Sequence, residues 1–473
     1  MEEAFNYSER ARSRAFLDIL GSKVQLAHGV LLEEERALQA RISVLQAKIS
    51  AGEQEDEEEA PDRGQFQREV EAAQKAYNDF LAKVRKENKE QASLMNVEPL
   101  TLKQTQELLE PGVTMLEYFV TPQQVLLWIV EKDRVELVQI PIGRKELVAK
   151  VASFRQGVFQ LEEIEKVRAS AQDLYRLLIE PALRHIRGKE LIIVPHDTLH
   201  YVPFHALLSP QGRYLVESYP INYLSSASLL QFTALKRKAQ GERVLAFGNP
   251  DLGDPAMNLR FAEREAKEIQ ALYPQSTLLL KRDATEDKAK GLSPQNDIIH
   301  FATHAELSED DPLASAILLA KDDKEDGRLE VREIFGMDLK ASLIVLSACE
   351  TGLGKLSSGD ELVGLTRAFI YAGTPSVVAS LWKVEDSSTA ALMASFYKNL
   401  KTMSKVESLR QAQLQLIRGQ ASSDLLARRG IGGVGKLGEA PGANPQSPIS
   451  IPASIPTSHP YFWAPFILVG DGK

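Results

Sequence analysis

The sequence predicts an α/β fold: a three-layer sandwich around a mainly parallel sheet, preceded by an N-terminal helical hairpin. Three observations lead there. From about residue 240, short apolar runs alternate with amphipathic stretches, as strands and helices do when a parallel sheet is covered on both faces. Ahead of that lies a set of β-rich runs separated by turn residues. In the first 95 residues the apolar positions instead step by four and three, which keeps them on one stripe of a helix. With 473 residues, 44 % of them hydrophobic, the chain is long enough for a large core and more than one domain.

Residues 1–95 read as a helical, coiled-coil region. Glu3 through Leu20 has helical spacing and meets a glycine stop at Gly21. Leu31, Leu38, Ile42, Leu45 and Ile49 form one seam, and Phe66, Val70, Ala73, Tyr77, Phe80 and Val84 form another. The acidic turn from Gly52 to Pro61 between them suggests an antiparallel hairpin, serving either as a docking arm for a partner or as a structural brace. Residues 96–235 form a second region, the first α/β half. It opens with an antiparallel meander, Val113 to Val120, Val125 to Val130 and Val135 to Ile140, and continues to a buried strand at Leu191 to Pro195.

Residues 236–473 form the third region. Strands are expected at Val244 to Phe247, Ile298 to Ala302, Leu343 to Ser347 and Ser376 to Leu381. Helices are expected at Ala262 to Leu272, Asp360 to Ala372, Asp386 to Leu400 and Lys405 to Ile417, the last opened by a Ser404-x-x-Glu407 capping box. The Pro/Ser/Ala/Gly stretch 419–459 has no periodicity and reads as a mobile loop, before an aromatic-rich terminal strand from His459 to Gly470.

Composition removes several classes of function. The net charge of −9, with no clustered Lys/Arg face, argues against nucleic acid as a direct partner. No window approaches 18 consecutive apolar residues, so no membrane span is expected. The start, Met1-Glu2-Glu3-Ala4, is acidic and leads into a helix, unlike a secretory signal. A single cysteine, Cys349, excludes an internal disulfide and a four-cysteine zinc site, and fits a cytoplasmic setting.

Sheet logic locates the candidate site. In open parallel sheets ligands bind beyond the carboxyl ends of the strands. His304 stands just past the strand Ile298 to Ala302, and Cys349 just past the strand Leu343 to Ser347. If those strands are parallel neighbours, an imidazole and a thiol emerge at one edge. A thiol is mostly protonated near neutral pH and needs a nearby base to become a nucleophile, which histidine supplies. Small residues around it (Ser347, Ala348, Gly352, Gly354) leave room for a peptide backbone to approach.

The segments His300-Phe301-Ala302-Thr303-His304 and Ser347-Ala348-Cys349-Glu350-Thr351-Gly352 resemble the CHAT family, relatives of caspases and separase. The histidine of caspases likewise lies about 50 residues upstream of the nucleophile. Further matching blocks are Pro195-His196-Asp197 with Leu199 to His205, then Gly359 to Leu365, Ser380 to Asp386, and Tyr461 to Phe466. Together they span roughly residues 170–473 in family order. The helix from Phe5 to Asp18 also resembles the last helix of the tetratricopeptide arrays that often precede such domains, although no 34-residue repeat is visible.

The resemblance implies a caspase-like fold and a cysteine endopeptidase acting on a protein substrate, without metal or organic cofactor. Cys349 would be the nucleophile and His304 its base, with the backbone N–H groups of Cys349 and Ala305 holding the oxyanion. Caspase-like enzymes commonly carry Gly where Ala305 stands, a departure that matters only if the position needs positive φ. Asp386, and with it Asp360, could line a pocket for a basic side chain, while Asp386 is equally suited to cap its helix. An acidic pocket would make Arg428-Arg429 in the long loop a self-cleavage site. His300 reads as a supporting residue; His196, His200 and His205 lack the companion ligands of a metal site. Two other readings remain: a catalytically silent scaffold or signalling adaptor, regulated by a protein docked on the N-terminal helices, and a thiol acyltransferase.

Overall fold

The computed structural model describes residues 2–23, 99–239, 241–308, 311–347, 360–382, 386–420 and 456–473, with the isolated helical positions 69, 72 and 76. Every residue named in the expected hairpin seams therefore lies outside the described residues. So do Cys349, Arg428, Arg429 and most of the 419–459 loop.

Fourteen strands are described: β1 Val113–Val120, β2 Val125–Glu131, β3 Arg134–Ile140, β4 Glu190–Val194, β5 Ile221–Tyr223, β6 Val244–Pro250, β7 Thr277–Lys281, β8 Ile298–Ala302, β9 Ala305–Glu306, β10 Ala316–Leu318, β11 Arg328–Glu330, β12 Leu343–Leu346, β13 Ser376–Ser380 and β14 Phe466–Gly470. The longer helices are α1 Glu2–Lys23, α2 Arg144–Phe159, α3 Ile164–Leu178, α4 Arg260–Leu272, α5 Asp360–Tyr371, α6 Asp386–Leu400 and α7 Lys405–Ile417. Eleven strands make one continuous sheet in the order β3-β2-β1-β4-β5-β14-β13-β12-β8-β6-β7, and β11-β10-β9 form a small second sheet.

Pairing is mainly parallel, and its direction reverses once in the middle. β7, β6, β8, β12 and β13 run together. β14 is antiparallel to β13, and β5, β4 and β1 follow the direction of β14. The carboxyl ends of the two strand groups therefore open on opposite edges of the sheet. Only the β1–β2–β3 meander continues with antiparallel pairs.

Consecutive residues of β8 show the three layers. His300 contacts Tyr397 of α6, while the Phe301 ring meets Phe369 of α5 at 6.2 Å. Side chains alternate along a strand, so α4, α6 and α7 cover one face and α5 the other. Every residue of β8, β12, β13 and β14 is buried, as expected of strands covered on both sides.

Element ends follow local chemistry. The Ser404 side chain accepts the Glu407 N–H, capping α7, while the Glu407 carboxylate accepts from Arg410 and Gln411, so the expected capping box is half formed. Two expectations need correction. Gly21 does not stop the first helix, which runs to Lys23; a single glycine costs a helix only about 1 kcal/mol. The terminal segment is not strand from His459: the His459 ring accepts the Tyr461 N–H, Pro460 occupies the first helical position, and Pro460–Trp463 forms a helical turn before β14.

The start of α1 is anchored in the sheet. Phe5 is fully buried edge-on against Trp128, ring centroids 6.0 Å apart, a geometry contributing about 0.5–1.5 kcal/mol beyond area burial. Glu9 accepts from the Ser228 N–H and hydroxyl, and the Arg12 guanidinium lies 3.8 Å from both Glu9 and Glu117. Breaking such a buried charge cluster by removing one member costs about 3–5 kcal/mol.

Candidate active site

β8 and β12 are adjacent and parallel, with Leu343 opposite Ile298 and Leu346 opposite Phe301. The ladder continues one residue further, where the Ser347 N–H donates to the Phe301 carbonyl at 2.9 Å. In sequence, His304 follows Phe301 by the same number of residues as Cys349 follows Leu346.

His304 is held from two sides and is 6 % exposed. Its carbonyl accepts the Leu318 N–H at 2.9 Å, and the preceding Thr303 hydroxyl donates to the Leu318 carbonyl at 2.5 Å. These bonds fasten the segment to β10. The ring nitrogen Nε2 lies 2.9 Å from the Met257 carbonyl oxygen. A carbonyl only accepts, so Nε2 carries the proton, and in the neutral ring the lone pair belongs to Nδ1.

Met257 is positioned by a turn between β6 and α4. Asn249, at φ +49°, accepts the Leu259 N–H at 2.8 Å and donates to Asn258 at 2.7 Å. Asp254 caps the short helical turn Pro255–Met257 by accepting the Ala256 N–H. Asn tolerates left-handed backbone better than most side chains, which suits this strand exit. Reasoning from sequence missed Asn249, Asp254 and Met257. The Gly248-Asn249-Pro250-Asp251 cluster marks a turn, but nothing local ties that turn to a histidine far along the chain.

Ala305 pairs with Ile317 across β9 and β10. Because Leu318 N–H donates to the His304 carbonyl, Ala305 and Ile317 form a non-hydrogen-bonded pair, and the Ala305 N–H points away from β10. Positive φ among described non-glycine residues occurs only at Leu161, Asp197, Asn249 and Lys281. Alanine at 305 thus carries no left-handed strain.

His300 is fully buried with Nδ1 3.0 Å from the Tyr397 hydroxyl and Nε2 2.9 Å from a Glu265 carboxylate oxygen. Asp360 and Asp386 are the first residues of α5 and α6; their side chains lie outside the described residues. His205 bonds to the Tyr223 hydroxyl at 3.0 Å and the Ala464 carbonyl at 2.9 Å, and burial pushes its pKa down to about 4. His196 accepts the Val120 N–H and stacks on Phe119; burial, then the Arg12 charge, lower its pKa to about 3. Burial likewise holds His200 well below the usual range. Among the described residues, the grouping with metal-ligand spacing is Glu286, Glu325 and Glu333, and the Lys290 ammonium lies within 2.9 Å of all three carboxylates.

The aromatic blocks at 199–205, 380–386 and 461–466 meet in space. Trp463 packs against His205 and Tyr214, and the Trp382 N–H donates to the Tyr461 carbonyl. No helix among the described residues is long and apolar enough to cross a membrane.

Comparison with known proteins places this arrangement. Tetratricopeptide repeat protein 28 is 26 % identical in Mus musculus and 25 % in Homo sapiens, each over 355 residues covering 63 % of this chain and 13 % of the relative. The chain thus aligns with about an eighth of the length of those relatives. Two structures of the Saccharomyces cerevisiae separase–securin complex resemble it at 10 % identity, with TM-scores of 0.48 and 0.46. They cover 92 % and 98 % of this chain and 37 % and 36 % of the matched chain. The CHAT domain family matches residues 168–471, a span that includes His304, Cys349 and each of those aromatic blocks. The chain belongs to the CHAT domain family.

Proposed function

We propose that this chain is a cysteine endopeptidase in which Cys349 attacks the peptide carbonyl and His304 manages the proton. The observation that supports the reading is the parallel register of β8 and β12, in which Phe301 pairs with Leu346, together with the sequence spacing that puts His304 three residues after the first and Cys349 three residues after the second. In this reading His304 Nδ1 takes the thiol proton, while the Met257 carbonyl keeps the ring in that tautomer. An unperturbed thiol is only a few per cent thiolate at pH 7, so such a base is what makes the sulfur a nucleophile.

Thiolate attack forms a tetrahedral oxyanion, held by the N–H groups of Ala305 and Cys349. Its collapse expels the amine, which takes the proton from His304 and leaves a thioester. Water, deprotonated by His304, then hydrolyses the thioester and restores the thiol. The outward direction of the Ala305 N–H supports its part. Asp386 and Asp360, at the starts of α6 and α5, would receive a basic residue before the scissile bond. The same reading divides the chain into a helical region 1–95, a silent half 96–235 and a catalytic half 236–473 in a cytoplasmic protein. A regulatory protein would dock on the N-terminal helices, as securin accompanies separase in the similar structures.

The test is a peptide library digested by the wild-type chain and by Cys349→Ala and His304→Ala. Cleavage by wild type alone, with loss of at least about 1,000-fold in either variant, is expected. Cleavage surviving in Cys349→Ala, or Cys349 alkylation by a peptidyl electrophile that ignores His304→Ala, overturns the reading.

A further inference from the structure

The carboxyl ends of β1, β4 and β5 open on the sheet edge opposite His304, and the described protein groups there include a side chain delivered by α1. Arg12 donates to the carbonyls at three strand ends: Pro195 at 2.6 Å, Ser225 at 3.5 Å, and Tyr118. These carbonyls lie just beyond β4, beyond β5 and within β1. Ser225 is shared. The Arg367 guanidinium of α5 donates to its hydroxyl at 2.7 Å and to its carbonyl at 3.5 Å.

α5 reaches from one edge of the sheet to the other. It starts at Asp360, downstream of Cys349, and ends at Tyr371, shortly before the amino end of β13. Twelve residues at 1.5 Å rise make it about 18 Å long. Arg367 sits in its last two turns, toward α1's seat. The second half of the helix is packed: Leu365, Ala368, Phe369 and Ile370 are buried.

We propose that α1 is a control element for α5: its seating is read through Arg12, Ser225 and Arg367 as the position of that helix. Two guanidinium groups converge on one buried serine that is 6 % exposed. Withdrawal of Arg12 frees Ser225 to shift, and Arg367 draws the end of α5 with it. A continuous hydrogen-bonded helix with a packed half transmits such a shift as a rigid body. Whatever pulls on α1, such as a preceding domain or a docked protein, would thereby adjust the thiol's approach to His304. This last consequence rests on the proposed peptidase chemistry; the coupling of α1 to α5 does not.

Hydrogen exchange of the full-length protein tests the coupling without any chemistry. Arg12→Ala and the milder Ser225→Ala are each expected to raise exchange at amides 364–371 at least about 10-fold. Thr285→Ala, which removes a remote helix cap, serves as the control for general destabilisation and should leave those amides unchanged. In parallel, Cys349 alkylation by iodoacetamide should slow at least about 5-fold in Arg12→Ala, Ser225→Ala and Arg367→Ala. The Arg12→Ala/Arg367→Ala double variant should be no slower than Arg367→Ala. Unchanged α5 exchange in Ser225→Ala, or fully additive effects in the double variant, overturns the proposal. Raised α5 exchange with Cys349 inert in every protein, wild type included, upholds the coupling and removes the peptidase reading instead.

Discussion

Lowering the pH from 7.5 to 5 places a defined load on His205, which is 3 % exposed between the Tyr223 hydroxyl and the Ala464 carbonyl. Burial depresses its folded pKa to about 4, whereas an unfolded histidine titrates near 6.5. Because the folded value is the lower one, the preference for the neutral ring is complete above about pH 6.5 and is lost as the pH falls toward 4. Each pH unit in that window is worth about 1.4 kcal/mol, so His205 alone removes about 2 kcal/mol by pH 5 and about 3 kcal/mol below pH 4. His205→Gln retains an amide donor for Ala464 and an acceptor for Tyr223, but has nothing to titrate. Equilibrium urea unfolding of both proteins at pH 7.5, 6 and 5 measures the difference. The wild type should lose about 2 kcal/mol more than the variant between pH 7.5 and 5. His196, His200 and His459 are depressed by burial as well, so the variant should retain part of the acid sensitivity. Identical pH profiles would refute the assignment of a buried, neutral His205.

Two further outcomes follow from packing on either face of the sheet. Tyr397→Phe removes the hydroxyl facing His300 Nδ1 and should cost about 1–3 kcal/mol in urea unfolding, since a buried ring nitrogen is left without that partner; a neutral substitution would mean that His300 is satisfied elsewhere. Gly373 has φ +126°, and a Cβ there would stand 2.2 Å from the Leu339 carbonyl oxygen, so Gly373→Ala should cost about 3 kcal/mol or more. Gly212, at φ +73° with open space around it, offers the contrast: its alanine variant should cost only about 1 kcal/mol, and equal melting losses for the two would contradict the steric argument.

Much of the architecture was written locally. The apolar run Ile298 to Ala302 became a strand with those bounds, and Asp386 to Leu400 and Lys405 to Ile417 became helices with theirs. A strand covered on both faces is largely apolar and a capped helix announces its first turn, so both leave marks within a few residues. The candidate dyad was legible for the same reason: His304 and Cys349 each follow a buried strand. Short strands such as Ile221–Tyr223, and the small sheet around Ala305, were not. Runs of two or three residues have no periodicity to read.

The sequence by itself determined most of the longer strands and helices, and that a single thiol and an imidazole each follow an expected strand. Tertiary structure alone decided that β8 and β12 are parallel neighbours and that the sheet reverses between β13 and β14. It also decided that Met257 holds His304 and that Arg12 meets Arg367 at Ser225. These are pairings between residues far apart in the chain, and their energy comes from closing long loops around a common core, which no local window of residues records.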